Sequence, residues 1–156
     1  MSLSSPQPAG QLRPATPGTF SALLEKGSVL ALAPMQDITD RIERVVAASG
    51  ARTGVAHVFA VGSTAALGTI EFEPGLERDL PEMLDRLIPP SRDYGHELAW
   101  HDGNGHSHLQ ATLLGCSLSL PISDGRLALG QWQQVVHLEC DVRGRQRTVV
   151  VTVVGQ

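Results

Sequence analysis

The sequence predicts an α+β fold, built mainly as an antiparallel β-sheet sandwich with two main helices. Short apolar segments separated by Gly, Asp or Pro fill the second half of the chain, which is typical of strands joined by tight turns. Two other segments carry apolar residues every three or four positions, which indicates amphipathic helices. With 156 residues, 42% of them hydrophobic, the chain is long enough for one domain with a substantial core.

The N-terminal residues differ in composition from the rest of the chain. Residues 1–18 are rich in Ser, Pro, Gly and Gln, and such a segment buries too little apolar surface to order itself. We therefore predict a disordered tail over residues 1–18 and a single folded domain over residues 19–156.

The domain is expected to begin with strands and a helix. Residues 20–24 and 28–33 predict two strands around a Glu-Lys-Gly turn. Asp37 is expected to cap a helix that Gly50 ends, because the apolar residues between them recur at helical spacing. Residues 54–61 form an apolar run of strand length and predict a buried strand.

A further strand and a second helix are predicted in the middle of the domain. Strict alternation over residues 69–73 predicts a half-buried strand with Glu71 and Glu73 on its polar face. These two carboxylates are either solvated or directed toward the histidines described below. The helix that follows is expected to begin near Asp79, because Pro81 fits best in a first turn, and to end before two consecutive prolines.

The remainder of the chain is predicted to be β-structure. Its strands are expected at residues 106–114, 117–122, 126–129, 132–140 and 147–154, separated by glycine-containing turns. Residues 149–154 are apolar on both faces, which indicates a central strand or a strand under an oligomer interface.

Charge and cysteine content narrow the classes of function. The formal net charge is −4 and no basic stripe is present, so nucleic acid is not an expected partner. Cys116 and Cys140 are too few for a disulfide framework and are predicted to be reduced. No apolar run is long enough to cross a bilayer and no signal-peptide pattern is seen, so we expect no membrane association and a cytoplasmic location. Arg143, Arg145 and Arg147 are interpreted as a solvated turn.

The segment 100–108, Trp-His-Asp-Gly-Asn-Gly-His-Ser-His, is the densest group of chemically active side chains. Asp102, Asn104, His106 and His108 are spaced two apart, so an extended backbone would direct all four to one face. Imidazole and carboxylate side by side are suited to metal ligation or acid–base chemistry. The alternative is an ordinary solvent-exposed polar face. Motifs for ATP, NAD, zinc ribbons and serine hydrolases are absent from the sequence.

Four segments resemble one known family. They are residues 62–67 (Gly-Ser-Thr-Ala-Ala-Leu), 70–75 (Ile-Glu-Phe-Glu-Pro-Gly), 100–108 and 129–133 (Leu-Gly-Gln-Trp-Gln). In this order they resemble the YjbQ-like proteins, also called secondary thiamine-phosphate synthase enzymes, and the resemblance runs from about Gly27 to the C-terminus. It implies an α+β fold of mainly antiparallel sheet, and a homotrimer with sites near the subunit boundaries.

The resemblance also implies a reaction and a set of catalytic residues. The family activity joins a pyrimidine methyl diphosphate to a thiazole phosphate and releases pyrophosphate. A divalent cation, Mg or Zn, would stabilise the leaving diphosphate, with Asp102, His106 and His108 as its expected ligands. The expected catalytic residues are these three together with Glu71 and His96, which would exchange protons or orient the ligand.

Further side chains are expected to hold the small phosphorylated ligand. Ser63 and Thr64 would bind a phosphate, Asn104 would orient a group through its amide, and Trp132 would form a pocket wall or a part of the core. Gly62 stands where one branch of the family has histidine, which is a departure from the family's pattern.

Two other classes of function stay open. One is a different metal- or acid–base-dependent enzyme, such as a hydrolase, that uses the same cluster. The other is a non-enzymatic trimer that binds an anionic small ligand.

Overall fold

The computed structural model describes residues 20–23 and 35–156. The predicted tail over residues 1–18, the Glu-Lys-Gly turn and the strand over residues 28–33 lie outside these residues. The division into a tail and one domain therefore stays a prediction.

The larger of two antiparallel sheets has five strands in the order β1-β8-β3-β5-β6. These strands are β1 (Phe20–Leu23), β3 (Gly54–Val61), β5 (Ser117–Ser123), β6 (Arg126–Leu127) and β8 (Thr148–Gly155). β8 pairs with β3 over its whole length and with β1 on its other side, which confirms the prediction of a central C-terminal strand. The bounds predicted for β3 are also confirmed.

The smaller sheet has three strands in the order β2-β7-β4. They are β2 (Met35–Asp37), β4 (Ala65–Ile70) and β7 (Gln134–Glu139). Side chains of β7 alternate between two cores. Val135 packs in the core shared with the five-stranded sheet, whereas Val136 and Leu138 pack in a second core on the opposite face.

In the described part of the chain, four helices accompany the sheets: α1 (Thr39–Ser49), α2 (Pro74–Leu87), α3 (Glu97–Trp100) and α4 (Gly105–Leu114). α1 buries Ile42 and Val46 in the first core, while α2 and α4 bury Leu84 and Ala111 in the second. The two sheets and the two predicted main helices are thus present, together with α4. Among the described residues, no helix combines the length and apolar character needed to cross a membrane.

The prediction for the ends of α1 is partly confirmed. Gly50 ends the helix in the left-handed conformation, at φ 72°. The residue at the N-cap position is Ile38 rather than Asp37. Asp37 acts just before it, where its Oδ1 accepts hydrogen bonds from the backbone N–H and the hydroxyl of Thr39.

The strand predicted over residues 106–114 is wrong, because this segment forms the helix α4. The alternation of polar and apolar residues from His108 to Leu113 imitates a strand, but Leu, Gln and Ala are strong helix formers. Close packing fixes the start of the helix. A Cβ atom at Gly105 would lie 2.7 Å from the Cβ of Tyr94 and 3.2 Å from the Cβ of His96.

The predicted strand over residues 69–73 and the start of the second helix also need correction. β4 ends at Ile70, and Glu73 is the N-cap of α2, where its carboxylate accepts the backbone N–H groups of Gly75 and Leu76. Capping satisfies donors that a helix start leaves free, so α2 begins at Pro74 rather than near Asp79. Pro81 is accommodated inside the helix.

Candidate functional site

The helix α4 separates the two histidines that a strand would have placed together. His106 and His108 are two residues apart, which corresponds to about 200° around a helix axis. His106 is 6% exposed and lines a cavity. His108 is half-buried and contacts the ring of His96. The predicted cluster therefore consists of two separate groups.

We name the cavity beside His106 the α2–α4 cavity; its volume is about 300 Å³. α2 and the segment after it, α4 and the end of β7 form its walls. The lining residues are Pro81, Leu84, Asp85, Pro90, His106, Gln110, Leu138, Glu139, Cys140 and Asp141. Apolar and acidic residues thus share the wall of a small, concave site.

Two buried polar atoms of this lining lack a hydrogen-bond partner among the described residues. They are Nδ1 of His106 and Oδ1 of Asp141. The side chain of Asp141 is only 2% exposed. Buried polar atoms are nearly always paired, so two unpaired atoms in the lining of one cavity indicate a place for a bound polar molecule.

The second carboxylate oxygen of Asp141 is fully engaged. Oδ2 accepts a hydrogen bond from Oγ1 of Thr64 at 3.0 Å and another from Nε of Arg145 at 2.9 Å. Burial opposes the charge, but the hydrogen bonds from Arg145 and Thr64 outweigh it and lower the pKa of Asp141. This carboxylate is therefore ionised at neutral pH and acts as an acceptor only.

A buried arginine holds the neighbouring carboxylate. Arg147 has a side chain 10% exposed, donates to both carboxylate oxygens of Glu139 and donates to Oγ1 of Thr64 at 2.7 Å. The interpretation of Arg147 as part of a solvated turn is wrong, because its charge is paired in the interior. Arg143, by contrast, is exposed.

Gly62 lies directly against this arginine. Its φ is 145°, and a Cβ atom at this position would lie 2.8 Å from Nη1 of Arg147. The guanidinium therefore fills the space into which a side chain at position 62 would project.

Gln110 connects two walls of the α2–α4 cavity. Its Nε2 donates to Oδ1 of Asp85 at 3.0 Å and to the carbonyl oxygen of Ile88 at 3.0 Å, which joins α4 to the end of α2. Cys140, on the wall from β7, is buried, and burial raises the pKa of its thiol to about 12. Cys116 and Cys140 are both free of a disulfide in the structure.

The second group of ionisable side chains lies at the protein surface. Nε2 of His96 is 3.5 Å from Oδ1 of Asp102, and the ring centroids of His96 and His108 are 4.6 Å apart. We name these three residues the surface histidine group. A backbone N–H bond from Gly103 to Glu97 helps to fix the loop that presents Asp102.

The predicted metal ligands are not brought together within this chain. His106 lines the α2–α4 cavity, whereas Asp102 and His108 belong to the surface histidine group. Among the described residues, no three His, Cys, Asp or Glu side chains are placed to hold a metal ion. Asp102, His106 and His108 thus do not form one ligand set here, and binding of Mg or Zn stays a prediction.

The other predicted site residues are dispersed. Ser63 and Glu71 are exposed, and the hydroxyl of Thr64 is already engaged by Asp141 and Arg147. Asn104 is buried and its Oδ1 has no partner among the described residues. Trp132 is 64% exposed, so the interpretation as a core residue is wrong. It does not line the α2–α4 cavity, and its role as a pocket wall stays a prediction.

Several residues of the site were missed by sequence reasoning. They are Asp85, Gln110, Glu139, Asp141, Arg145 and Arg147. A usable signal was present at the end of β7, where two acidic residues follow an apolar run that predicts a buried strand.

Comparisons with known proteins agree on one family. The family model described as UPF0047 protein YjbQ-like matches residues 32–156. A UPF0047 protein of Archaeoglobus fulgidus is 40% identical over 114 residues, which are 73% of this chain and 86% of the relative. The UPF0047 protein YugU of Bacillus subtilis is 30% identical over 123 residues, 78% of this chain and 89% of the relative.

Solved structures show the same fold. A YbjQ-like protein of unknown function from Sulfolobus solfataricus has a TM-score of 0.74 and 36% identity, covering 78% of this chain and 87% of its own. A hypothetical protein of Aeropyrum pernix has a TM-score of 0.74 and 32% identity, covering 89% and 98%.

Proposed function

This chain belongs to the YjbQ-like UPF0047 family, and we propose that it is an acid–base enzyme whose small polar ligand occupies the α2–α4 cavity. One observation carries the proposal: His106 and Asp141 line the same cavity, and each carries a buried atom, Nδ1 and Oδ1 respectively, without a hydrogen-bond partner among the described residues. A ligand that pairs with both atoms would remove the cost of leaving them unsatisfied.

His106 is the proposed proton-exchange residue. A neutral imidazole offers one donor and one acceptor nitrogen, so it can pass a proton to or from a ligand. Asp141 is the proposed orienting residue, because an ionised carboxylate held by Arg145 and Thr64 stays in one place and accepts a ligand hydrogen. Burial strengthens both interactions by excluding water.

The first reaction to assay is the one that the family resemblance implies. We propose that the reaction joins a pyrimidine methyl diphosphate to a thiazole phosphate. The thiazole nitrogen forms a bond to the methylene carbon of the pyrimidine, the bond from that carbon to the diphosphate breaks, and His106 donates a proton to the leaving pyrophosphate. The support is the resemblance itself together with the match of His106 to the family's histidine segment. The proposed role of His106 does not depend on a metal ion.

Matched histidine substitutions test this function. The His106→Gln variant is expected to lower turnover of the two phosphorylated substrates, assayed with magnesium, by about 100-fold or more, as for loss of a general acid–base group. His101→Gln is the matched control, because it changes the same residue type at an exposed position outside the cavity. Circular dichroism would verify folding of both variants. Equal turnover by wild type and His106→Gln would refute the proposed role.

The second candidate is a non-enzymatic ligand-binding oligomer, and the outer face of the five-stranded sheet favours it. Val55, Phe59 and Val61 of β3 are 42%, 40% and 48% exposed on this face, and Val154 of β8, paired with Val55, is 44% exposed. Contiguous exposed apolar residues are typical of an interaction surface. We propose that copies of this chain associate here, with the number three taken from the family resemblance.

Light scattering after size exclusion tests the assembly. Wild type is expected to elute as a trimer, and Phe59→Asp as a smaller species with unchanged circular dichroism. A monomeric wild type at micromolar concentration would contradict the proposed association.

A further inference from the structure

We infer that the ligand of the α2–α4 cavity presents a nitrogen donor, as an amino-substituted heterocycle or an amidine, to Asp141 rather than a phosphate. This inference deepens the proposed function and rests on the same cavity. It concerns the chemical class of the molecule that binds, whereas the proposed function concerns the proton transfer.

The charge of the lining supports a donor ligand. Asp85, Glu139 and Asp141 line the cavity, and among the described residues neither arginine nor lysine does. Arg145 and Arg147 pair with the carboxylates of Asp141 and Glu139 without joining the lining. An anionic group would thus enter next to an ionised carboxylate, which disfavours it.

The hydrogen-bond donors around the cavity are already committed. Gln110 uses its Nε2 for Asp85 and Ile88. Thr64, which was expected to hold a phosphate, donates its single hydroxyl hydrogen to Asp141. His106 remains, and one imidazole nitrogen is a small donor set for a phosphate group.

In the cavity lining, Asp141 carries an acceptor atom that lacks a hydrogen-bond donor in the described part of the chain. Oδ2 of Asp141 has two donors, whereas Oδ1 of the same carboxylate has none among the described residues. A lowered pKa keeps this group ionised, so its free oxygen accepts and never donates. An N–H group of a ligand is the complementary partner, and a cationic N–H makes the stronger, charge-assisted bond.

The remaining wall suits a flat apolar body. Leu84, Leu138, Pro81 and Pro90 line the same cavity of about 300 Å³. A single aromatic or heteroaromatic ring that carries an amino or amidine group matches both the volume and the mixture of apolar and acidic surface.

Two probes of equal shape and opposite charge test this inference. Benzamidine and benzoate are titrated into methyl-labelled wild-type protein, followed by inorganic phosphate. Benzamidine is expected to shift the methyl resonances of Leu84 and Leu138, and the other two probes are expected to leave them unchanged. Shifts by benzoate or phosphate, or no shift by any probe, would overturn the inference.

A pair of isosteric variants assigns the interaction to its carboxylate. Asp141→Asn is expected to weaken benzamidine binding by at least about tenfold, the loss expected for a charge-assisted hydrogen bond. Asp124→Asn makes the same change in an exposed turn outside the cavity and is expected to bind as wild type. Unchanged binding by Asp141→Asn would overturn the assignment, and the wild-type titration decides the ligand class should that variant not fold.

The turnover assay and the probe titrations test the proposed function and the inferred ligand class independently. Turnover that survives His106→Gln, together with cavity shifts by benzamidine, would refute the proposed function and leave the ligand class intact. Loss of turnover in His106→Gln, together with cavity shifts by phosphate, would support the proposed function and overturn the inferred ligand class.

Discussion

Replacing Arg147 by methionine is expected to destabilise the fold by about 3–5 kcal/mol, as for removal of one partner of a buried ion pair. The guanidinium contacts both carboxylate oxygens of Glu139, whose side chain is 4% exposed, and the hydroxyl of Thr64. Methionine fills similar volume but leaves the charge of Glu139 without its partner. The magnitude therefore comes from an uncompensated buried charge rather than from a cavity.

Urea unfolding followed by circular dichroism measures the effect. For a domain of this size, 3–5 kcal/mol corresponds to a fall in Tm of about 6–20 °C. Arg143→Met is the matched control, because Arg143 is exposed in the same segment, and it is expected to change stability by less than about 0.5 kcal/mol.

A double-mutant cycle identifies the cause. The variant that combines Arg147→Met with Glu139→Gln carries neither charge of the pair, so it is expected to recover part of the stability lost by Arg147→Met. An Arg147→Met protein within about 1 kcal/mol of wild type would refute the reasoning, since a buried unpaired carboxylate costs more than that.

Three further outcomes are expected. Burial lowers the pKa of His137 below 6.5, so the unfolded chain binds a proton at higher pH than the folded chain, and the free energy of unfolding falls as pH falls from 6.5 toward the lowered pKa. In His137→Leu, the free energy of unfolding measured in urea is expected to depend less on pH over this range. An unchanged pH dependence would contradict this prediction. Gly62→Ala is expected to cost about 1–3 kcal/mol in urea unfolding, because its φ of 145° and the close Arg147 guanidinium both oppose a Cβ; a neutral effect would contradict this strain. Gly105→Ala is expected to lower Tm by several degrees because its Cβ would lie 2.7 Å from the Cβ of Tyr94, and such overpacking is destabilising. An unchanged Tm would show that the segment around Tyr94 moves aside at no cost in stability.

Much of the fold could be predicted because its periodicity is local. The strand over residues 54–61 and the helix ended by Gly50 each carry their signal within a few neighbouring residues. The helix α4 could not be recognised in this way. The alternation of polar and apolar residues from His108 to Leu113 satisfies a strand pattern, and packing against β4 and the segment around Tyr94 decides in favour of a helix.

The candidate site could be predicted only in part. His106 was identified because it belongs to a dense local cluster, although the reasoning that joined it to His108 was wrong. The sequence does not single out Asp141, and it places Arg147 in a solvated turn, because their partner Thr64 lies 77 and 83 positions away along the chain. Pairings at such separation are set by the meeting of β4 with the end of β7, and no local pattern encodes them.

The amide of Gln110 has a consequence for the rate at which a ligand exchanges. Nε2 of Gln110 donates hydrogen bonds both to Asp85 in the last turn of α2 and to the carbonyl oxygen of Ile88 just after it. One side chain of α4 therefore connects the two helical walls of the cavity. Any widening between α4 and this end of α2 must break both bonds in the same event. Removing the amide would therefore accelerate entry and departure of a ligand together, and residence time would change more than affinity.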